Sequence, residues 1–207
     1  MGSKNAGYRL TLFAHPRILT LFTPLLQEGV WVDVTVGRSL RSILCDQLGL
    51  DSRYVDERIQ TVFLNGRPVD RMETAMVPDG AVLALSASLP GLLGATLRKS
   101  GFYASLRRGI THVEGEGRSS NQGGRGRITL KVFNVLLREL APGLLARGVV
   151  VNGDRLWIRI REVEALYLEA VRVVELNGER LDPARLPEAL WEPESPILVS
   201  VKDPTEA

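Results

Sequence analysis

At 207 residues, with 44% hydrophobic and 24% charged side chains, the chain has an ordinary globular composition and room for one large domain or two small ones. A formal charge of +2 excludes a molecule that binds polyanions over its whole surface. One cysteine, Cys45, excludes an intrachain disulfide and a thiolate metal cluster, and no apolar run is long enough to predict a membrane span.

Residues 8–14 (YRLTLFA) are rich in β-formers and predict a strand. Residues 16–28 place Ile18, Leu19, Phe22, Leu25 and Leu26 at helical spacing before Gly29, with Pro24 predicting a break or kink. Val30, Val32, Val34 and Val36 alternate with polar or bulky residues, as in a strand with one apolar face. Ser39 is positioned to cap a helix that carries Leu40, Ile43, Leu44 and Leu48 on one side and ends at Gly49. Residues 59–64 predict a strand, Asn65-Gly66 a hairpin turn, Pro78-Asp79-Gly80 a second turn, and residues 81–87 another strand. Further on, residues 127–133 predict a strand and 134–147 a helix around Val135, Leu136, Leu140 and Leu144. Val149 to Val151, Asn152-Gly153 and residues 155–160 predict a hairpin. A short helix follows over 162–170, then strands over 171–176 and 196–201.

The two parts of this series repeat each other. Arg9-Leu10-Thr11-Leu12 returns as Arg127-Ile128-Thr129-Leu130, and at the same offset Pro24 matches Pro142 and Leu26 matches Leu144. Val62-Phe63-Leu64-Asn65-Gly66 is echoed by Val174-Glu175-Leu176-Asn177-Gly178. A period near half the chain predicts a duplicated folding unit. Between the copies, residues 115–126 hold five glycines and no apolar side chain, the composition of a flexible loop. The predicted organisation is a unit over 8–94, a basic connector with a Gly-rich loop over 95–126, and a second, divergent unit over 127–203.

The first unit, with Phe63-Leu64-Asn65-Gly66 followed by Pro78-Asp79-Gly80-Ala81-Val82 into a strand, resembles the ubiquitin-like β-grasp sulfur carriers, the small subunit of molybdopterin synthase and the thiamine sulfur carrier. The resemblance covers about residues 8–94 and reaches the second unit through the repeat alone. It implies an α+β fold of two tandem β-grasp units. In those carriers a terminal Gly-Gly is adenylated and converted to a thiocarboxylate. Here the matching stretch reads Ser88-Leu89-Pro90-Gly91-Leu92-Leu93-Gly94-Ala95, and more than 110 residues follow. The expectation is therefore a scaffold without the carrier chemistry: a non-catalytic protein-interaction or accessory module, with no cofactor. A carrier activated by processing near Gly94 is the enzyme-class alternative.

The candidate partner-binding residues lie in the segment that replaces the tail: Pro90, Gly91, Leu92, Leu93, Gly94, Arg98, Lys99, Phe102, Tyr103, Arg107 and Arg108. Between Leu97 and Arg127 stand seven basic residues against two acidic ones. Three uses compete for this segment. It can be an ordered connector whose leucines pack while its arginines face water. It can be a docking surface for a protein partner, since arginine and tyrosine favour interface centres. It can also bind nucleic acid or a phosphorylated ligand through its local positive field.

Other chemistry is sparse. His15, beside Pro16, predicts a turn histidine bonded to backbone. His112 with Glu114 and Glu116 makes a poor metal site, because ordering a mobile loop is costly. Asp51, Asp56 and Glu57 predict solvated surface, and Asp46 beside Cys45 predicts a raised thiol pKa. With no signal pattern and no myristoylation motif, the expected setting is a reducing cytoplasm without a membrane partner.

Overall fold

The computed structural model describes residues 7–88, 94, 96–99, 101, 123–186 and 195–207. The fold is mixed α+β. In chain order the elements are β1 (Tyr8–Ala14), α1 (Leu19–Glu28), β2 (Val30–Thr35), β3 (Arg38–Ser39), α2 (Leu40–Ser42), α3 (Ser52–Glu57), β4 (Thr61–Leu64), β5 (Arg67–Pro68), β6 (Met76–Val77), β7 (Val82–Ser86), β8 (Arg125–Val132), α4 (Val135–Arg147), β9 (Val149–Asn152), α5 (Gly153–Glu162), α6 (Glu164–Ala170), β10 (Val171–Leu176), β11 (Glu179–Leu181) and β12 (Pro196–Lys202).

These elements form two compact units whose limits differ from the sequence halves. One unit is Trp31–Glu139; the other joins Met1–Val30 to Leu140–Ala207. The halves of the repeat are thus interleaved, where the sequence pattern had predicted units over 8–94 and 127–203.

In the unit Trp31–Glu139 the strand order is β2-β8-β7-β4-β5. β4 is antiparallel to both β5 and β7, and β7 runs parallel to β8 with Leu83 opposite Leu130. A small β3–β6 ladder stands apart. Ser39 caps α2 by accepting a hydrogen bond from Ser42 N–H at 3.2 Å, and the chain continues through a π-turn over Ile43–Gln47. Leu40, Ile43, Leu44 and Leu48 are all buried, as their spacing required.

β8 begins at Arg125, inside the stretch whose composition predicted a flexible loop. Close approach explains the glycine there. A Cβ on Gly126 would lie 2.5 Å from Val36 Cγ1 and 2.6 Å from Asp79 Oδ1. The same Asp79 oxygen accepts a hydrogen bond from Arg127 N–H at 2.7 Å, so the glycine lets the strand reach its neighbour's turn.

In the unit that joins Met1–Val30 to Leu140–Ala207 the order is β11-β10-β1-β12-β9. β10 is antiparallel to β11 and to β1, β1 runs parallel to β12, and β12 is antiparallel to β9. Strand directions at the centre match those of the other unit: an Asn-Gly hairpin strand beside the first strand of a parallel pair. β1 therefore holds the place that β7 holds in the other unit, and β12 the place of β8.

Two sequence expectations change here. Residues 155–160 form helix α5 instead of a hairpin strand. Asn152 caps it, its side chain accepting from Arg155 N–H at 3.2 Å. Leu156 and Ile160, four apart, are buried, while Ile158 between them is 54% exposed. The alternation of apolar and basic residues mimicked a strand period. Pro24 and Pro142 both lie inside continuous helices, so the expected break at Pro24 is missing.

Candidate interaction site

Of the predicted partner-binding residues, Gly94, Arg98 and Lys99 fall within the described structure. Pro90, Gly91, Leu92, Leu93, Phe102, Tyr103, Arg107 and Arg108 lie outside the described residues, as do His112, Glu114 and Glu116. Gly94 is buried, and its carbonyl accepts from Arg98 N–H at 3.1 Å. Arg98 Nε donates to Gln60 Oε1 at 2.6 Å. Lys99 is bound twice to the unit Trp31–Glu139: its backbone N–H donates to Gln60 O at 2.7 Å and its Nζ to Val55 O at 2.8 Å. Burial holds the Lys99 ammonium below the ordinary lysine value, with Asp56 opposing that shift. Lys99 is thus an anchor for backbone carbonyls, and its charge is spent inside the fold.

A second feature escaped the sequence reading. On the outer side of α5 and α6, in the unit that joins Met1–Val30 to Leu140–Ala207, a shallow cleft is lined by Trp157, Arg161, Tyr167, Leu168 and Pro183 among others. The Arg161 guanidinium lies 5.6 Å from the centroid of the Trp157 ring, a cation–π arrangement. Tyr167 is buried in the floor, and its hydroxyl donates to Pro183 O at 3.1 Å. Burial raises the Tyr167 phenol well above its ordinary pKa, so it stays a neutral donor. Leu168 and Ile158 are 44% and 54% exposed on the same two helices. Tryptophan, tyrosine and arginine around an exposed leucine are the residue types that anchor protein interfaces. The arrangement offers an apolar seat edged by one cation, Arg161, and one carboxylate, Glu164.

This cleft depends on α5 being a helix, because helical spacing brings Trp157 and Arg161 onto one face. A strand over 155–160 would have separated them. The only sequence signal was the Trp-x-x-x-Arg spacing, visible once a helix is assumed.

The remaining polar groups hold the fold. Arg41 binds Asp56 through both carboxylate oxygens at 2.8 Å and reaches Glu73 at 3.3 Å; Asp56 is exposed, as expected, and is also an ion-pair partner. Its carboxyl is held below the usual range chiefly by that hydrogen bond. Asp51 caps α3, accepting from Tyr54 N–H at 3.0 Å. Burial, with Asp46 as a smaller contributor and Arg41 opposing, raises the Cys45 thiol. His15 N–H donates to Ala170 O at 2.9 Å and its Nδ1 accepts from Arg17 N–H at 3.4 Å, as a turn histidine does. Among the described residues no three His, Cys, Asp or Glu side chains are grouped to hold a metal, and no helix is long and apolar enough to cross a membrane.

Comparison with protein-family models finds no match, and comparisons with curated proteins and with solved structures find none either.

Proposed function

We propose that this chain is a non-catalytic protein-interaction or accessory module, built on two ubiquitin-like β-grasp units related to the sulfur carriers but without the carrier tail. The strand order and directions in each unit support the fold part of this reading, as does a helical segment between the second and third strand places of each. So do the two Asn-Gly turns. Asn65 and Asn177 sit at φ 50 and 54, and each side-chain oxygen accepts from the first residues of the adjacent central strand, Val82 N–H at 2.8 Å and Arg9 N–H at 2.9 Å.

One observation carries the functional part. In a carrier the strand beside the Asn-Gly hairpin ends in a thin free tail that enters a partner's active site. Here β7 holds that place, and the chain beyond it is tied back onto the same unit by Lys99 at Val55 O and Gln60 O. In the other unit β1 holds the place and runs on through His15 into a 3-10 turn and α1. Neither strand end is free to receive an adenylate. Fold likeness by itself is weak warrant for activity, so the reading is supported by the strand ends and not by the fold.

Two measurements test the reading. In the chain isolated from its native cells, the tryptic peptide over residues 72–98 is expected unbroken; peptides ending at Gly91 or Gly94, or carrying a thiocarboxylate there, would restore the carrier. For the interaction role, a photo-crosslinking amino acid at Leu168, which lines the cleft and is exposed, is expected to trap a protein with an apolar side chain seated beside Trp157. Adducts no more frequent than from the exposed Arg53 position would remove the cleft from the proposal.

A further inference from the structure

The geometry points to a strand-acceptor site in each repeat of this sequence, filled by the first strand of the other repeat, so that the two repeats are obligate partners of one another. Strand placement alone carries it, apart from the function proposed above. In the unit Trp31–Glu139, β2, β4, β5 and β7 come from the first repeat, yet the strand placed between β2 and β7 is β8, from the second. β8 is fitted to that slot along its length. Ile128, Leu130 and Val132 are fully buried, Thr129 N–H donates to Ala81 O at 2.8 Å, and Phe133 N–H donates to Leu85 O at 3.0 Å. At its start Arg127 Nε pairs with Asp33 at 2.6 Å. The other unit is the converse: β9, β10, β11 and β12 come from the second repeat, and β1 from the first stands between β10 and β12.

Removing either central strand opens two edges at once. The neighbours lose backbone partners along their full length and expose their apolar face, a state that strand addition corrects. The occupant each slot accepts is defined chemically: an extended segment parallel to the neighbouring central strand, apolar at alternate positions, with a cation at the start to meet Asp33 in the first repeat's slot. The rival arrangement is self-completion, in which each repeat folds its own first strand into its own slot. The likeness of Arg9-Leu10-Thr11-Leu12 to Arg127-Ile128-Thr129-Leu130 makes that rival specific and testable. The two first strands fill different places, β8 that of β12 and β1 that of β7, so each repeat is completed by a strand of the other without exchange of equivalent elements.

The test starts from the full chain, with a protease recognition sequence inserted after Ser120. After cleavage the two pieces are expected to migrate together in native buffer and to part only in denaturant. Refolded singly, neither piece should give a cooperative melt; mixed, they should regain it. Either piece melting cooperatively by itself, or the pieces separating as two folded species, overturns the proposal. The uncut chain supplies a second reading should the cleaved chain fail to stay folded. In Leu130→Ala, amide exchange is expected to quicken by on the order of tenfold or more over Val82–Ser86 and Thr61–Leu64. Quickening confined to Val171–Leu176 and Pro196–Lys202 would show the second repeat completing itself.

Discussion

Asn65, Asn134 and Asn177 all adopt φ between 50 and 54, and each side-chain oxygen accepts from a backbone N–H in a strand or just past its end. Asn134 accepts from Ala87 N–H at 3.2 Å and donates to Ser86 Oγ at 2.7 Å, while Asn177 receives Arg9 N–H at 2.9 Å. Left-handed backbone favours glycine or asparagine, and the hydrogen bond selects asparagine. Asn177→Ala is therefore expected to cost about 1–3 kcal/mol in urea unfolding, combining backbone strain with a lost acceptor. Asn177→Gly should cost less, since only the acceptor is lost. Equal costs would mean that the backbone geometry does not matter. The doublets were legible in sequence because their requirement is local. What Asn177 clasps was not: the hairpin strand β10 takes β1, whose partner residues lie more than 150 positions away, and nothing in the pattern distinguishes that choice from β12. Glu139 shows the same contrast between local and distant. Hydrogen bonds from Arg58 and then from Tyr54 hold its carboxyl below the usual 4.5, although these two neighbours stand 81 and 85 positions from it in sequence. A depressed folded value means that the contribution to stability is present above the unfolded pKa and is lost as pH falls through the folded one. Carboxyl-carbon NMR should place Glu139 below 4.5, with Arg58→Ala raising it more than Tyr54→Phe does. Tyr54→Phe raising it more would reverse the assigned order of causes.

At the scale of elements, α5 is where periodicity misled. Leu156, Ile158 and Ile160 alternate as in a strand, yet Asn152 caps a helix and the burial follows the four-residue spacing of Leu156 and Ile160. Salt bridges reinforce it from outside: Arg155 pairs with Glu28, and Arg159 reaches the same carboxylate at 3.0 Å. The two patterns make opposite forecasts at one position. For the helix, Ile160→Ala should cost about 2–5 kcal/mol, as for a buried side chain, and Ile158→Ala within about 0.5 kcal/mol. A strand would place residues 158 and 160 on one face and make both substitutions costly. Denaturant midpoints at unchanged slope distinguish the two. The candidate cleft inherits this result, because Trp157 and Arg161 are neighbours one turn apart on a helix, whereas in a strand they would lie roughly 13 Å apart along one face. That is why the connector, rich in suggestive residues, drew attention in the sequence, while the cleft did not.

For the whole molecule, the interleaving has a consequence for what can fold alone. Repeats in sequence suggested a division near the Gly-rich stretch, at residues 95–126. The compact units instead divide at Val30–Trp31 and Glu139–Leu140. Residues 31–139 are continuous, so one unit is inserted within the other, an arrangement tolerated where the inserted unit has its own core. That unit contains its central strand β8 with Ile128, Leu130 and Val132 fully buried. Extending it to Arg147 completes α4, which carries Glu139 opposite Tyr54 and Arg58. A chain of residues 31–147 is accordingly expected to fold and unfold cooperatively by itself. A chain of residues 8–94 lacks β8, leaves β2 and β7 without their shared neighbour, and is expected to show no cooperative transition. Circular dichroism melts of the two, at equal concentration, check this. Were 8–94 the stable one, the first repeat would be closing on its own β1, and completion by the other repeat's first strand would have to be abandoned. Were both stable, the slot between β2 and β7 would accept either strand, and the choice of β8 in the full chain would rest on the course of the chain through α1 and α4.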